Sequence, residues 1–128
     1  MKLTFSWYEQ FGTLEPKCES DTRNHDGVSL VCCLLSDTGG LPYLSSLPWI
    51  EEGLRRIDAV KRGEAESLRW GREDWGAWLR RDGARIYSLH EEEYGNVMPL
   101  ETFEAALRAW KDFLQTPPDA NTTKTVLL

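Results

Sequence analysis

Two stretches of helical period enclose one of strand period, and that arrangement limits the fold of this chain more than any other feature. The first stretch runs from about 46 to 62, where Leu47, Ile50, Leu54, Ile57 and Val60 form one apolar stripe. Ser45 or Ser46 can cap it, Pro48 suits its first turn, and Gly63 is a fitting stop. Glu51 and Glu52 lie toward its positive end, Lys61 and Arg62 toward its negative end. The second stretch starts at Pro99. Leu100, Phe103, Leu107, Trp110 and Leu114 make its stripe, Ala106 and Phe113 flank it, and Pro117-Pro118 ends it.

Between the helices the period shortens. Leu68 and Trp70 alternate, Gly71–Asp74 reads as a turn, and Trp75–Arg80 follows as a strand. Asp82-Gly83 is a hairpin signal, because both residues tolerate the positive φ of a tight turn. Arg85–Leu89 runs back, Glu91–Glu93 makes a second connection, and Tyr94–Met98 is a fourth strand. The result is an antiparallel meander. Near the N-terminus, Leu3, Phe5 and Trp7 alternate in a strand over Lys2–Tyr8. Residues 12–27 are polar and punctuated by Gly12, Pro16, Asn24, Asp26 and Gly27, which reads as a loop. The apolar run Val28–Leu35 has the length of a strand buried on both faces, and Asp37–Gly40 breaks it. The expected fold is one α+β domain over residues 1–118: a two-layer arrangement with an antiparallel β-sheet of four to six strands and two main helices packed on one face. Residues 119–128 are expected to be a flexible polar tail.

Composition narrows the function. The chain has 128 residues, 15 basic and 21 acidic, for a formal charge of −6. That excess of negative charge argues against a nucleic-acid binder working by phosphate neutralisation and permits a basic protein partner. The charge is uneven: residues 51–82 are balanced at 8 basic and 8 acidic, while both ends are acidic. No apolar run approaches a bilayer span, and the N-terminus lacks the continuous apolar stretch of a signal peptide, so no membrane association and a cytoplasmic location are expected. Cys18, Cys32 and Cys33 are odd in number and do not make a disulfide framework. With His25 and His90 the only histidines, and no paired ligand spacing, neither a metal site nor a cofactor site is expected.

Asp37-Thr38-Gly39 matches the catalytic triplet of aspartic proteases, in which two aspartates share one proton. One copy per chain would require a homodimer, and the same three residues are ordinary turn chemistry. Glu91–Glu93 reads as a solvated connection or as an acidic binding patch. The chain has six tryptophans. Trp7, Trp70 and Trp110 fall on core positions, whereas Trp75 and Trp78 are three apart in one strand and point to opposite faces. Only one of that pair can face the core; the other must be exposed, packed on an arginine, or buried by a partner.

The stretch Leu47–Leu114 resembles small immunity proteins of contact-dependent growth inhibition and related polymorphic-toxin systems. The resemblance lies in the amphipathic helix, the tryptophan-bearing meander with Leu68 and Trp70, the strand Arg85–Leu89, and the closing run Pro99, Leu100, Phe103, Leu107, Trp110, Phe113 and Leu114. It implies a cytoplasmic, non-enzymatic protein that binds one cognate toxin C-terminal domain, often a nuclease, and blocks its active site or substrate surface. A nuclease surface is basic to hold phosphates, which suits an acidic inhibitor. The expected toxin-binding residues are the acids Glu73, Asp74, Glu91, Glu92 and Glu93, with Trp75 or Trp78 and Tyr94 as aromatic anchors. The alternatives are a homodimeric aspartic-protease-like enzyme acting through Asp37, and a generic protein-interaction domain.

Overall fold

The computed structural model describes residues 1–128. The chain is α+β, as the pattern predicts, but its strands form two antiparallel sheets rather than one. One sheet holds β1 (Lys2–Gln10), β2 (Thr13–Ser20) and β7 (Thr123–Leu127) in the order β2-β1-β7. The other is the meander β3 (Ser67–Gly71), β4 (Trp75–Arg80), β5 (Gly83–Ser88) and β6 (Gly95–Met98), in chain order. Three helices accompany them: α1 (Leu30–Leu35), α2 (Ser46–Lys61) and α3 (Leu100–Leu114).

Three expectations are corrected in the three-stranded sheet and α1. Residues 13–20 are a strand, not part of a loop: Phe11-Gly12 makes a two-residue turn with φ of 51° and 82°, and β2 returns along β1. Pro16 is tolerated because β2 is an edge strand, where a missing N–H breaks no ladder. The C-terminal residues expected to be flexible form β7 on the opposite edge of β1, with Val126 beside Leu3. The apolar run is a helix, not a strand. Ser29 caps it through Cys32 N, and all its residues except Cys33 are buried, because α1 is wedged against β2, β4, β5 and α3 at once. A six-residue helix covered on nearly every side has no polar face to reveal its period.

The longer helices and the meander follow their patterns. The α3 stripe is buried along its whole length, and α2 buries Ile50, Leu54, Ile57 and Val60. Neither Ser45 nor Ser46 caps α2 with its side chain; a 3-10 turn at Tyr43–Ser45 leads into the helix, and both hydroxyls accept from Arg72 instead. The β4–β5 turn is centred on Arg81-Asp82, one residue earlier than the Asp82-Gly83 signal, and neither central residue has positive φ. One core joins both sheets and all three helices. Phe5 and Trp7 of β1 pack on α3, with ring centroids 5.1 Å from Trp110 and 4.9 Å from Phe113 respectively. On the meander side, Trp70 stacks on Trp49 of α2 at 4.1 Å. Gly53 lets α2 approach that closely: a Cβ there would meet the Trp70 ring at 2.6 Å. The indole N–H groups of Trp7 and Trp110 are buried without acceptors, at a cost of about 1–3 kcal/mol each that ring burial offsets.

Candidate functional site: two charged surfaces of the meander

In a meander, alternate turns share an end. The β3–β4 turn and the β5–β6 connection therefore lie side by side, and the exposed carboxylates of Glu73, Asp74, Glu91, Glu92 and Glu93 come together there. The backbone beneath them is tied down. Leu89 N donates to Asp74 O at 2.9 Å, and Ser88 Oγ accepts from the N–H groups of His90 and Glu91. His90 Nε2 lies 2.8 Å from Asp74 Oδ1. Asn24 Nδ2 donates to Tyr94 Oη at 2.8 Å.

Asp37 anchors this end from below. Its Oδ2 accepts the backbone N–H groups of Glu73, Asp74 and Trp75 at 3.2, 2.9 and 3.0 Å, and the residue is 7% exposed. Arg72 completes the tie, donating to Asp37 O, Ser46 Oγ and Ser45 Oγ. In this fold, then, the aspartate of the Asp-Thr-Gly triplet caps a turn of the meander.

The pair Trp75 and Trp78 divides as strand parity requires. Trp75 shares the inner face with Ala77 and Leu79, packs partly against the core, and lies 6.3 Å from Tyr94. Trp78 points outward onto arginines: the Arg80 and Arg69 guanidiniums lie 4.0 and 4.6 Å from its ring centroid. Neither Trp75 nor Tyr94 stands free at the acidic end; both are half-buried.

Around Trp78 lies a second surface. Strand pairing places Arg69, Trp78, Arg85 and Val97 in one row across β3, β4, β5 and β6. No helix covers this outer face. Tyr87 lies flat beneath it, 4% exposed, with Arg69 and Arg85 each 5.6 Å from its ring and Arg69 Nη1 donating to its hydroxyl at 3.0 Å. Glycines make the flat packing feasible. A Cβ at Gly76 would touch the Tyr87 ring at 3.1 Å, and one at Gly95 would meet the Arg85 guanidinium at 2.8 Å. Glu92 belongs to this surface as much as to the acidic end: its carboxylate pairs with Arg69 at 3.1 Å and its carbonyl accepts from Arg85. The Tyr87 hydroxyl and Glu92 both hold the Arg69 guanidinium in its charged form.

None of Arg69, Arg80, Arg85, Tyr87 and Val97 is among the site residues expected from the sequence, although packing on an arginine was one of the fates open to the outward tryptophan. Their signal was the register: once Arg80 pairs with Gly83, Trp78 must face Arg85. No three His, Cys, Asp or Glu side chains converge as a metal ion would require. The Cys32 thiol beside Cys18, together with burial, pushes the Cys18 thiol up, and burial pushes Cys33 up, so both favour the protonated form over a reactive thiolate. No helix is long and apolar enough to cross a membrane. Comparison with family models, with curated proteins and with solved structures finds no match to this chain.

Proposed function

We propose that this chain is a non-enzymatic immunity protein that neutralises a basic toxin domain, a nuclease being the leading case, by covering its active site or substrate surface. The observation that carries this reading is the acidic end of the meander, where five carboxylates project from two turns whose backbone is fixed by Asp37 and Ser88. A fixed backbone lowers the ordering cost of binding, and concentrated negative charge speeds encounter with a basic surface. The resemblance of Leu47–Leu114 to immunity proteins supports the same reading. A dimeric protease is less well supported, because Asp37 Oδ2 is already engaged by three backbone donors.

The test is growth rescue. The C-terminal domain encoded immediately upstream is expressed with and without this chain. Rescue by the native chain, weakened by reversing Glu73, Asp74, Glu91 and Glu93 to lysine, is the expected result. A toxic neighbour that the folded chain fails to silence contradicts the proposal, and unchanged rescue by the reversed variant moves the binding site elsewhere.

A further inference from the structure

We infer that the outer face of the four-stranded sheet is a docking surface for an acidic, extended segment of a partner protein. This goes beyond the immunity reading and does not depend on it, since the surface is opposite in sign to the acidic end.

The chain carries a net charge of −6, yet three guanidiniums, Arg69, Arg80 and Arg85, gather on one uncovered face. Only Arg69 has a carboxylate partner on this face. Arg85 donates to a carbonyl, and Arg80 lies over Trp78 without an ion pair. Guanidinium groups in this state offer free, forked N–H donors that match a carboxylate two bonds at a time. Val97, 68% exposed, adds an apolar contact at the end of the row. Trp78, Arg80, Asp82, Gly83, Arg85 and Val97 line a groove of about 230 Å³. That volume takes one or two side chains rather than a cofactor. Asp82 on its wall repels carboxylates at that side, which leaves the Arg80 and Arg85 side of the groove for an acidic occupant.

Charge and geometry separate three occupants of this face. A second copy presenting the same face would set arginines against arginines. A single-stranded nucleic acid would need a free aromatic ring to stack on, and two guanidiniums already lie within 4.6 Å of the Trp78 centroid. It would also bring a dense row of phosphates to a chain of net charge −6. A short acidic protein segment needs only a few carboxylates and one apolar residue, which this face supplies with partners.

The test uses the full chain labelled with ¹⁵N and a synthetic peptide of alternating glutamate and leucine. The peptide is expected to shift the side-chain N–H signals of Arg69, Arg80 and Arg85 and the Trp78 indole. Binding should weaken as salt rises and fall by at least about tenfold in the Arg80→Glu/Arg85→Glu double variant. The Glu91→Lys/Glu93→Lys variant, altered at the other surface, should bind the peptide at least as well as the native chain. Circular dichroism confirms that both variants fold, and Arg80→Gln/Arg85→Gln replaces the first if it does not. Absence of shifts, shifts that map elsewhere, tighter binding of oligothymidine to the same residues, or self-association lost in the arginine variant would each overturn the inference.

Discussion

The same four strands make two faces of the meander, and the faces differ in what lies over them. Inside, Trp70, Ala77, Leu79, Ala84 and Ile86 are at most 3% exposed beneath the helices. Outside, Trp78 and Tyr87 are covered by the arginines of their own sheet. Two tryptophans on neighbouring strands show the contrast. Trp70 stacks on Trp49, donates its N–H to Trp49 O at 3.0 Å, and is sealed by Gly53. Trp78 is shielded by flexible cations that a partner's carboxylates can draw away. Cover supplied by a helix holds the fold together; cover supplied by guanidinium groups leaves a surface that can still exchange partners.

The inner face is where the largest loss belongs. Trp70→Ala should cost about 3–5 kcal/mol in urea unfolding, since it opens a cavity between α2 and the meander. Next comes the tie that holds the acidic end. Asp37→Ala leaves three backbone N–H groups without their acceptor and should cost about 3 kcal/mol, while Asp37→Asn keeps an oxygen without the charge and should cost about half as much. A dimeric protease would show the reverse: Asp37→Asn would abolish peptide cleavage and leave the unfolding midpoint in place.

A smaller effect tests the helix seam behind the inner face. Burial pushes the Glu104 carboxyl up, but hydrogen bonds from Lys61 at 2.9 Å and Arg108 at 3.0 Å outweigh it and hold the carboxyl below its ordinary range. A carboxyl lower in the folded than in the unfolded chain adds stability above the unfolded value and loses it as pH falls through the folded one. Glu104→Gln should therefore cost about 0.5–1 kcal/mol at neutral pH, a modest figure because both cations are well exposed. The gap to the native chain should close in acid, which urea titrations at several pH values will read.

The smallest effect has the opposite sign. Phe11 is 97% exposed at φ 51°, so its ring gains nothing from packing while its backbone is strained. Phe11→Asn should raise stability by about 0.5–1 kcal/mol, because asparagine tolerates that conformation.

The regions that were legible in the sequence share one property: each element has one covered and one uncovered side. α2, α3 and the meander strands show a clear period for that reason. The three-stranded sheet lacks it. On β2 the inward positions hold Leu14, Pro16 and Cys18, a weak apolar row with a proline in it, and only the edge position makes that proline acceptable. β7 is a strand because β1 offers a second edge, a fact that lies more than a hundred residues away in the chain. α1 is buried on nearly all sides and has no period to read. At the candidate site, the gathering of acids follows from the meander itself. The arginine row does not, because it depends on the register that sets Trp78 opposite Arg69 and Arg85.

Thermal unfolding of Trp70→Ala and Trp78→Ala side by side tests the difference between the two faces most directly, and it needs no partner. Trp70→Ala should lower Tm by more than about 10 °C, and Trp78→Ala by no more than about 4 °C, at roughly 3–5 °C per kcal/mol for a chain of this size. Equal losses would mean that Trp78 and its arginines hold the fold as the core does, and the outer face would then be structure rather than a surface kept for binding.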